Sequence, residues 1–170
     1  LSAGLPRTFS TLQQREAEFR NSEHELLEAQ TLAGLGSYAL DVQTGLWTSS
    51  VVCDQLFGID ADYVRSVTGW VELVHPDDRA HMAQYFQVEV LQKGQAFDQE
   101  YRIIRPADGA LRWVHGLGQL ERDAQGRVLC MRGTIQDISQ SKRAEMAIAA
   151  ANDQLQATLD ALPDLLFKVD

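Results

Sequence analysis

The sequence has 170 residues, 45% apolar and 23% charged, and 24 acidic against 15 basic side chains give a formal charge of −9. That is apolar material for one folded domain of roughly 100–130 residues with connecting helices. The acidity excludes a grip on nucleic acid, which needs clustered and unopposed Lys and Arg. A membrane span needs a run of ~20 apolar residues, and the chain lacks one. Cys53 and Cys130 are far apart and in no CxxC arrangement, so neither a disulfide framework nor a structural zinc site is expected, and a reducing, cytoplasmic setting fits. No charged-then-apolar signal segment opens the chain. A start at Leu1 rather than Met reads as an excised piece of a longer protein, whose other parts could carry a membrane segment.

From about residue 12 to 33 there is no proline or glycine, and Leu12, Phe19, Leu26 and Ala33 recur every seven residues. This spacing predicts a helix with a thin apolar seam. Four positions beyond the first three stand Glu16, Glu23 and Gln30, so the second row of a heptad core is weak and the helix is expected to pack on something else. From 34 to about 139 short segments alternate with Gly, Pro and Asp clusters, the texture of a small mixed α/β domain. Residues 36–42 (GSYALDV) and 46–50 (LWTSS) flank Gln43-Thr44-Gly45 and read as a hairpin. A short helix over 51–57 is closed by Gly58. Pro76, Asp77 and Asp78 open a longer helix to about Lys93, proline suiting its first position and two carboxylates its positive end; Gly94 ends it.

Phe97, Gln99, Tyr101 and Ile103 alternate with Asp98, Glu100 and Arg102, so one face of that strand should be buried. Turns at 106–109 (PADG) and 123–126 (DAQG) lead into strands over 111–122 and 128–138, completing an antiparallel meander. From 140 to 162 helical texture returns, with Ile148, Leu155 and Leu162 seven apart, and a parallel two-stranded seam fits this spacing. Pro163 is expected to stop this helix, leaving 164–170 (DLLFKVD) as the first strand of a further, truncated domain.

Several stretches carry a resemblance: GSYALDV at 36–42, HPDD at 75–78, EYRIIRPADGALRWV at 100–114, and GTIQDIS at 133–139 followed by KRAE. In this order and spacing, residues 35–145 resemble a PAS domain with its C-terminal PAC motif. One departure is the turn PADG, one residue longer than the PDG or KDG usual there. The resemblance implies an α+β fold: a five-stranded antiparallel sheet with short helices over one face, enclosing a small cavity, flanked by N- and C-terminal amphipathic helices. It divides the chain into an N-terminal helix (1–34), a sensor domain (35–139), a signalling helix (140–162) and the first strand of a second PAS domain (163–170). Such domains sense a ligand, cofactor or partner and pass the change to an output domain. Tandem modules of this type usually precede a diguanylate cyclase with a GGDEF motif, often with an EAL phosphodiesterase, or a histidine kinase.

No catalytic constellation is present in the sequence: no GxSxG, no P-loop and no HExxH. The fragment is therefore read as non-catalytic. Haem would need an imidazole facing the cavity, and His81 lies on the helix that carries the iron ligand in haem-binding PAS domains, although a surface role is more ordinary. The cysteine helix of light-sensing LOV domains is absent. A non-covalent flavin would draw on Trp70, Tyr85, Tyr101 and Gln99. The strand over 111–120 presents Val114, Gly116 and Gly118 on one face. With Tyr101, Ile103, Met131, Gly133 and Ile135, this face could floor a ligand cavity, or its glycines could let a helix pack closely with no ligand present.

The opposite face carries Trp113 and Leu117 and needs a cover. The seam of Phe19 and Leu26, from the same chain or a second subunit, is the expected one, which suggests a homodimer with Ile148, Leu155 and Leu162 joining the outgoing helices. By resemblance to the DIT motif, Asp137 should pair with Arg112 or Arg132 at the strand end, while Ser139 caps the outgoing helix. The expected function is a cytoplasmic sensor and dimerisation module upstream of GGDEF/EAL turnover of cyclic di-GMP. A histidine-kinase input domain, or a ligand-free interaction module, is the alternative.

Overall fold

Residues 6–166 are described in a computed structural model of the chain. A long helix α1 (Pro6–Leu32) leads into the hairpin strands β1 (Leu35–Asp41) and β2 (Leu46–Ser49). Three short helices follow, α2 (Val51–Phe57), α3 (Val67–Leu73) and α4 (Pro76–Tyr85), the last continued by a π-helical segment, Phe86–Gln92. Strands β3 (Phe97–Ile104), β4 (Leu111–Arg122) and β5 (Val128–Asp137) and a second long helix, α5 (Ser139–Leu166), complete the chain.

The strands form one antiparallel sheet in the order β2-β1-β5-β4-β3, so the fold is α+β. Because side chains alternate across a strand, one face collects Leu40, Tyr101, Ile103, Val114, Met131 and Ile135, all buried. Helices α2 to α4 cover that face, contributing Cys53, Leu56, Phe57, Leu73 and Met82.

Local chemistry sets the helix ends. Ser50 Oγ starts α2 by accepting the Cys53 N–H at 3.3 Å, as an N-cap serine does. Gly58, at φ 68°, supplies the left-handed residue that ends the same helix. Helix α3 has no counterpart in the sequence-based expectations. Ser66 starts it by accepting the Gly69 N–H at 3.0 Å, but seven residues are too few to display a helical period. The helix expected over 76–93 changes pitch at Phe86, and Gly94 (φ 71°) follows its end.

The outgoing helix runs on to Leu166, so the stop expected at Pro163 falls within its last turn. Proline removes one N–H bond and crowds the preceding turn, which weakens a helix without obliging it to stop there. The strand expected over 163–170 is thus helical as far as residue 166, and residues 167–170 lie outside the described residues.

Strand β3 has an open edge, a position that proteins commonly cover, and here the start of α4 covers it. The His75 N–H donates to the Arg102 carbonyl at 2.8 Å, and Val74 bridges to Ile103. The Asp78 carboxylate accepts the Arg102 N–H at 3.1 Å. Asp78 therefore does more than complement the positive helix end: it ties the helix to the sheet.

Candidate functional site

Between the sheet and the helices lies a cavity of about 50 Å³. Its walls include Trp70, Tyr101, Met131 and Ile135, four of the residues expected there, together with Tyr38, Leu40, Trp47, Phe57, Val67, Phe86 and Phe97. Trp70 is the centre of the aromatic packing, with its ring centroid 5.8 Å from Phe86, 5.9 Å from Phe97 and 6.0 Å from Tyr101. Each pair meets edge to face, the arrangement that the ring quadrupoles favour.

The other expected cavity residues lie elsewhere. Ile103 and Val114 are fully buried in the same core but off the cavity wall. Gln99 is half-buried at the sheet surface, and Tyr85 packs on Phe97 with its hydroxyl donating to the Ala96 carbonyl. The glycines Gly116, Gly118 and Gly133 do share the inner face, but the sheet's own aromatics fill the space above them. A Cβ on Gly116 would meet Phe97 at 2.8 Å, and one on Gly118 would meet the Tyr38 hydroxyl at 2.5 Å. At Gly133 it would fall on the Leu117 carbonyl oxygen.

Tyr38 explains this arrangement. The register pairs Tyr38 with Gly133, Gly133 with Gly118, and Gly118 with Phe97. Lying across the two bare glycines, the Tyr38 ring reaches from β1 over β5, and its hydroxyl donates to the Leu117 carbonyl at 3.0 Å. Burial pushes the Tyr38 and Tyr101 phenols well above their ordinary range, so both stay neutral. It also pushes the Cys53 thiol up to about 12, so that group packs as a small apolar residue.

The lining has little polar capacity to spare. Trp47 Nε1 donates to the Ser66 carbonyl at 2.9 Å, and Trp70 Nε1 donates to Tyr101 Oη at 3.1 Å. A drug-sized ligand fills roughly 300–1,000 Å³, several times the volume here. Flavin and haem therefore do not fit this arrangement. His81 is exposed on α4 beside Tyr85 and is no part of the wall. Among the described residues no cluster of His, Cys, Asp and Glu has the form of a metal site.

The second feature is the junction where β5 becomes α5. Arg112 Nη1 donates to Asp137 Oδ2 at 2.6 Å, and the Ser139 N–H donates to Asp137 Oδ1 at 2.9 Å. Burial opposes the charge on Asp137, but the bonds from the Ser139 hydroxyl and N–H, with Arg112, outweigh it and hold the carboxyl below its ordinary value, since bonds to the charged form favour that form. Ile138 caps the helix, since its carbonyl accepts the Lys142 N–H at 2.9 Å, while its own N–H donates to the Trp113 carbonyl. Ser139 therefore stands inside the helix, and its hydroxyl turns to the β4 edge to accept the Trp113 N–H at 3.0 Å. The expected capping role of Ser139 passes to Asp137 as a side-chain acceptor for one of the free N–H groups of the first turn. Arg132 is not the partner of Asp137: alternation along β5 places it on the other face of the sheet, where it bonds Glu121.

On the outer face Trp113 is half-buried under groups of its own chain, Arg102 from β3 and Lys142 from α5. Helix α1 does not cover it: Phe19 and Leu26 are 65% and 61% exposed, and Leu117 is 42% exposed. Ile148, Leu155 and Leu162 of α5 are also exposed.

A family model of the PAS fold matches residues 47–135, a little over half of the chain, and the chain belongs to that family. It is 26% identical over 137 residues to the sensor protein FixL of Bradyrhizobium diazoefficiens, covering 81% of this chain and 27% of that protein. It is 25% identical over 150 residues to the probable diguanylate cyclase DgcE of Escherichia coli, covering 86% of this chain and 13% of that protein. Among solved structures, a sensory box histidine kinase/response regulator from Burkholderia thailandensis E264 matches with a TM-score of 0.63 at 26% identity, covering 78% of this chain and 98% of that chain. The chain thus spans about a quarter or less of the length of these two curated relatives. It is a PAS sensor domain, similar to those of a histidine kinase and a diguanylate cyclase.

Proposed function

We propose that this chain is the cytoplasmic input module of a dimeric signalling protein, in which a change in the packing of helices on sheet is handed to α5 and thence to an output domain. The observation that carries the reading is the junction. One carboxylate, Asp137, holds both the neighbouring strand through Arg112 and the first N–H of the outgoing helix. A fastening of this kind turns a twist of the sheet into a displacement of the helix instead of absorbing it.

The output in this reading is a GGDEF diguanylate cyclase, often joined to an EAL phosphodiesterase, with a histidine kinase as the alternative. The C-terminal part of the 35–145 stretch acts as the PAC motif, and a second PAS domain begins at the C-terminal end of the chain. The small apolar lining, whose two indole N–H groups are already bonded, favours a partner or a small apolar molecule as the signal over a large cofactor. The test is Asp137→Ala in the full-length protein. Output activity is expected to lose its response to stimulus, while circular dichroism of this domain stays unchanged. Regulation surviving intact in a folded variant would refute the role of the junction.

A further inference from the structure

The junction at Asp137 fastens α5 to the sheet, but the helices over the cavity have a route of their own to the same helix. It begins at Asp78 in the first turn of α4. Its carboxylate accepts three bonds from one residue of β3: the Arg102 N–H at 3.1 Å, Nε at 3.0 Å and Nη2 at 2.5 Å. Such a fork holds the guanidinium rigidly, and the pairing raises the pKa of Arg102 and lowers that of Asp78.

Arg102 is also the cross-strand partner of Trp113, and its guanidinium carbon lies 5.8 Å from the indole centroid. Lys142, in the first turn of α5, places its ammonium 5.3 Å from the same ring and pairs with Glu100 of β3 at 2.5 Å. The backbone of Trp113 meanwhile binds Ile138 and Ser139 at the start of α5. Trp113 is thus touched by the helical layer through Arg102 and by the outgoing helix through Lys142.

We propose that Arg102 is a positioning residue that ties α4 to the start of α5 through the indole of Trp113, a coupling route separate from Asp137. The α4 side moves with the cavity roof, since the π-helical segment that continues α4 supplies Phe86 to the cavity wall. A shift of α4 re-aims the guanidinium, and the ring it shares with Lys142 passes the change to α5. The inference rests on α5 being the exit, but its test reads this chain alone, so its failure leaves the Asp137 reading standing.

The test is amide hydrogen exchange followed by NMR on this polypeptide. Asp78→Asn leaves Arg102, Trp113 and Lys142 in place. It is expected to raise exchange of the Lys142 N–H, the first bond of α5, by about twofold to fivefold, the range of one cation–π contact near the surface. Arg102→Gln should do the same, and the double variant should add little to either single one. Coupling is reciprocal, so Lys142→Met, which removes the charge and keeps the length of the stem, should speed exchange of the Arg79 N–H, which bonds the His75 carbonyl at the start of α4. If Asp78→Asn speeds exchange only within α4, or Lys142→Met only within α5, the tie through Trp113 does not exist. Should Asp78→Asn fail to fold, the Lys142→Met measurement decides alone.

Discussion

A phenol bridging three strands is the residue-scale feature on which the cavity depends. Tyr38 occupies the space that two glycines leave, and its hydroxyl would meet a methyl on either Gly118 or Gly133. Beyond that hydroxyl, a methyl on Gly118 meets the flexible Met131 side chain, whereas one on Gly133 meets backbone, the Leu117 carbonyl. Overpacking of this kind costs about 1–3 kcal/mol, and loss of one buried hydrogen bond costs about 1 kcal/mol. Both Gly118→Ala and Gly133→Ala should therefore lower the urea midpoint. In a Tyr38→Phe background, which removes the oxygen above Gly118, Gly118→Ala should cost about 1 kcal/mol less than in the parent. Gly133→Ala should cost nearly as much as before. Equal rescue of both would mean that the Leu117 carbonyl yields, contrary to the geometry. This is also where reading from sequence stops. The glycine pair is legible as a bare patch on the inner face, but its occupant is not, because Tyr38 lies 79 residues from Leu117 and meets it only through the strand order.

At the scale of elements, the two turns on which signalling is proposed to hinge are fixed by carboxylates, Asp78 at the start of α4 and Asp137 at the start of α5. Both are held below the ordinary value of 3.8. A carboxyl that binds its proton less tightly when folded stabilises the fold fully above the unfolded pKa. The contribution is lost as pH falls through the lower folded value. Stability should therefore drop between about pH 4 and the acid limit, and Asp137→Asn, which cannot titrate, should show a shallower acid limb in urea midpoints measured at successive pH values. A variant limb as steep as that of the parent would show that Asp137 has nearly the same affinity for protons in both states. The strands, both ends of α2 and the start of α4 are readable because alternation, proline and glycine mark them locally. Helix α3 and the π-helical segment are not: one is too short to show a period, and the other is a change of pitch that leaves composition untouched.

At the scale of the whole molecule, the apolar content divides between a core and seams that the single chain leaves open. Leu12, Phe19 and Leu26 form a thin row on α1, and Ile148, Leu155 and Leu162 a second row on α5, joined there by Leu159. The α5 row is the better dimer seam. Three residues beyond Ile148 and Leu155 stand Ala151 and Thr158, and four beyond stand Asn152 and Leu159, whereas the same offsets from the α1 seam give Arg15, Ser22 and Ala29, and Glu16, Glu23 and Gln30. Charged residues there weaken a coiled-coil core. A parallel pairing along α5 would also bring two junctions to the same end, as a shared relay requires. Light scattering at micromolar concentration is expected to give a dimer. Leu155→Lys, which buries two charges in the seam, should give a monomer with an unchanged circular dichroism signature of the sheet. A parent that is monomeric would exclude the seam outright. A Leu155→Lys variant that stays dimeric would move the contact to α1 or to the outer sheet face around Leu117, where a charge at Leu117 or Phe19 would then separate the subunits.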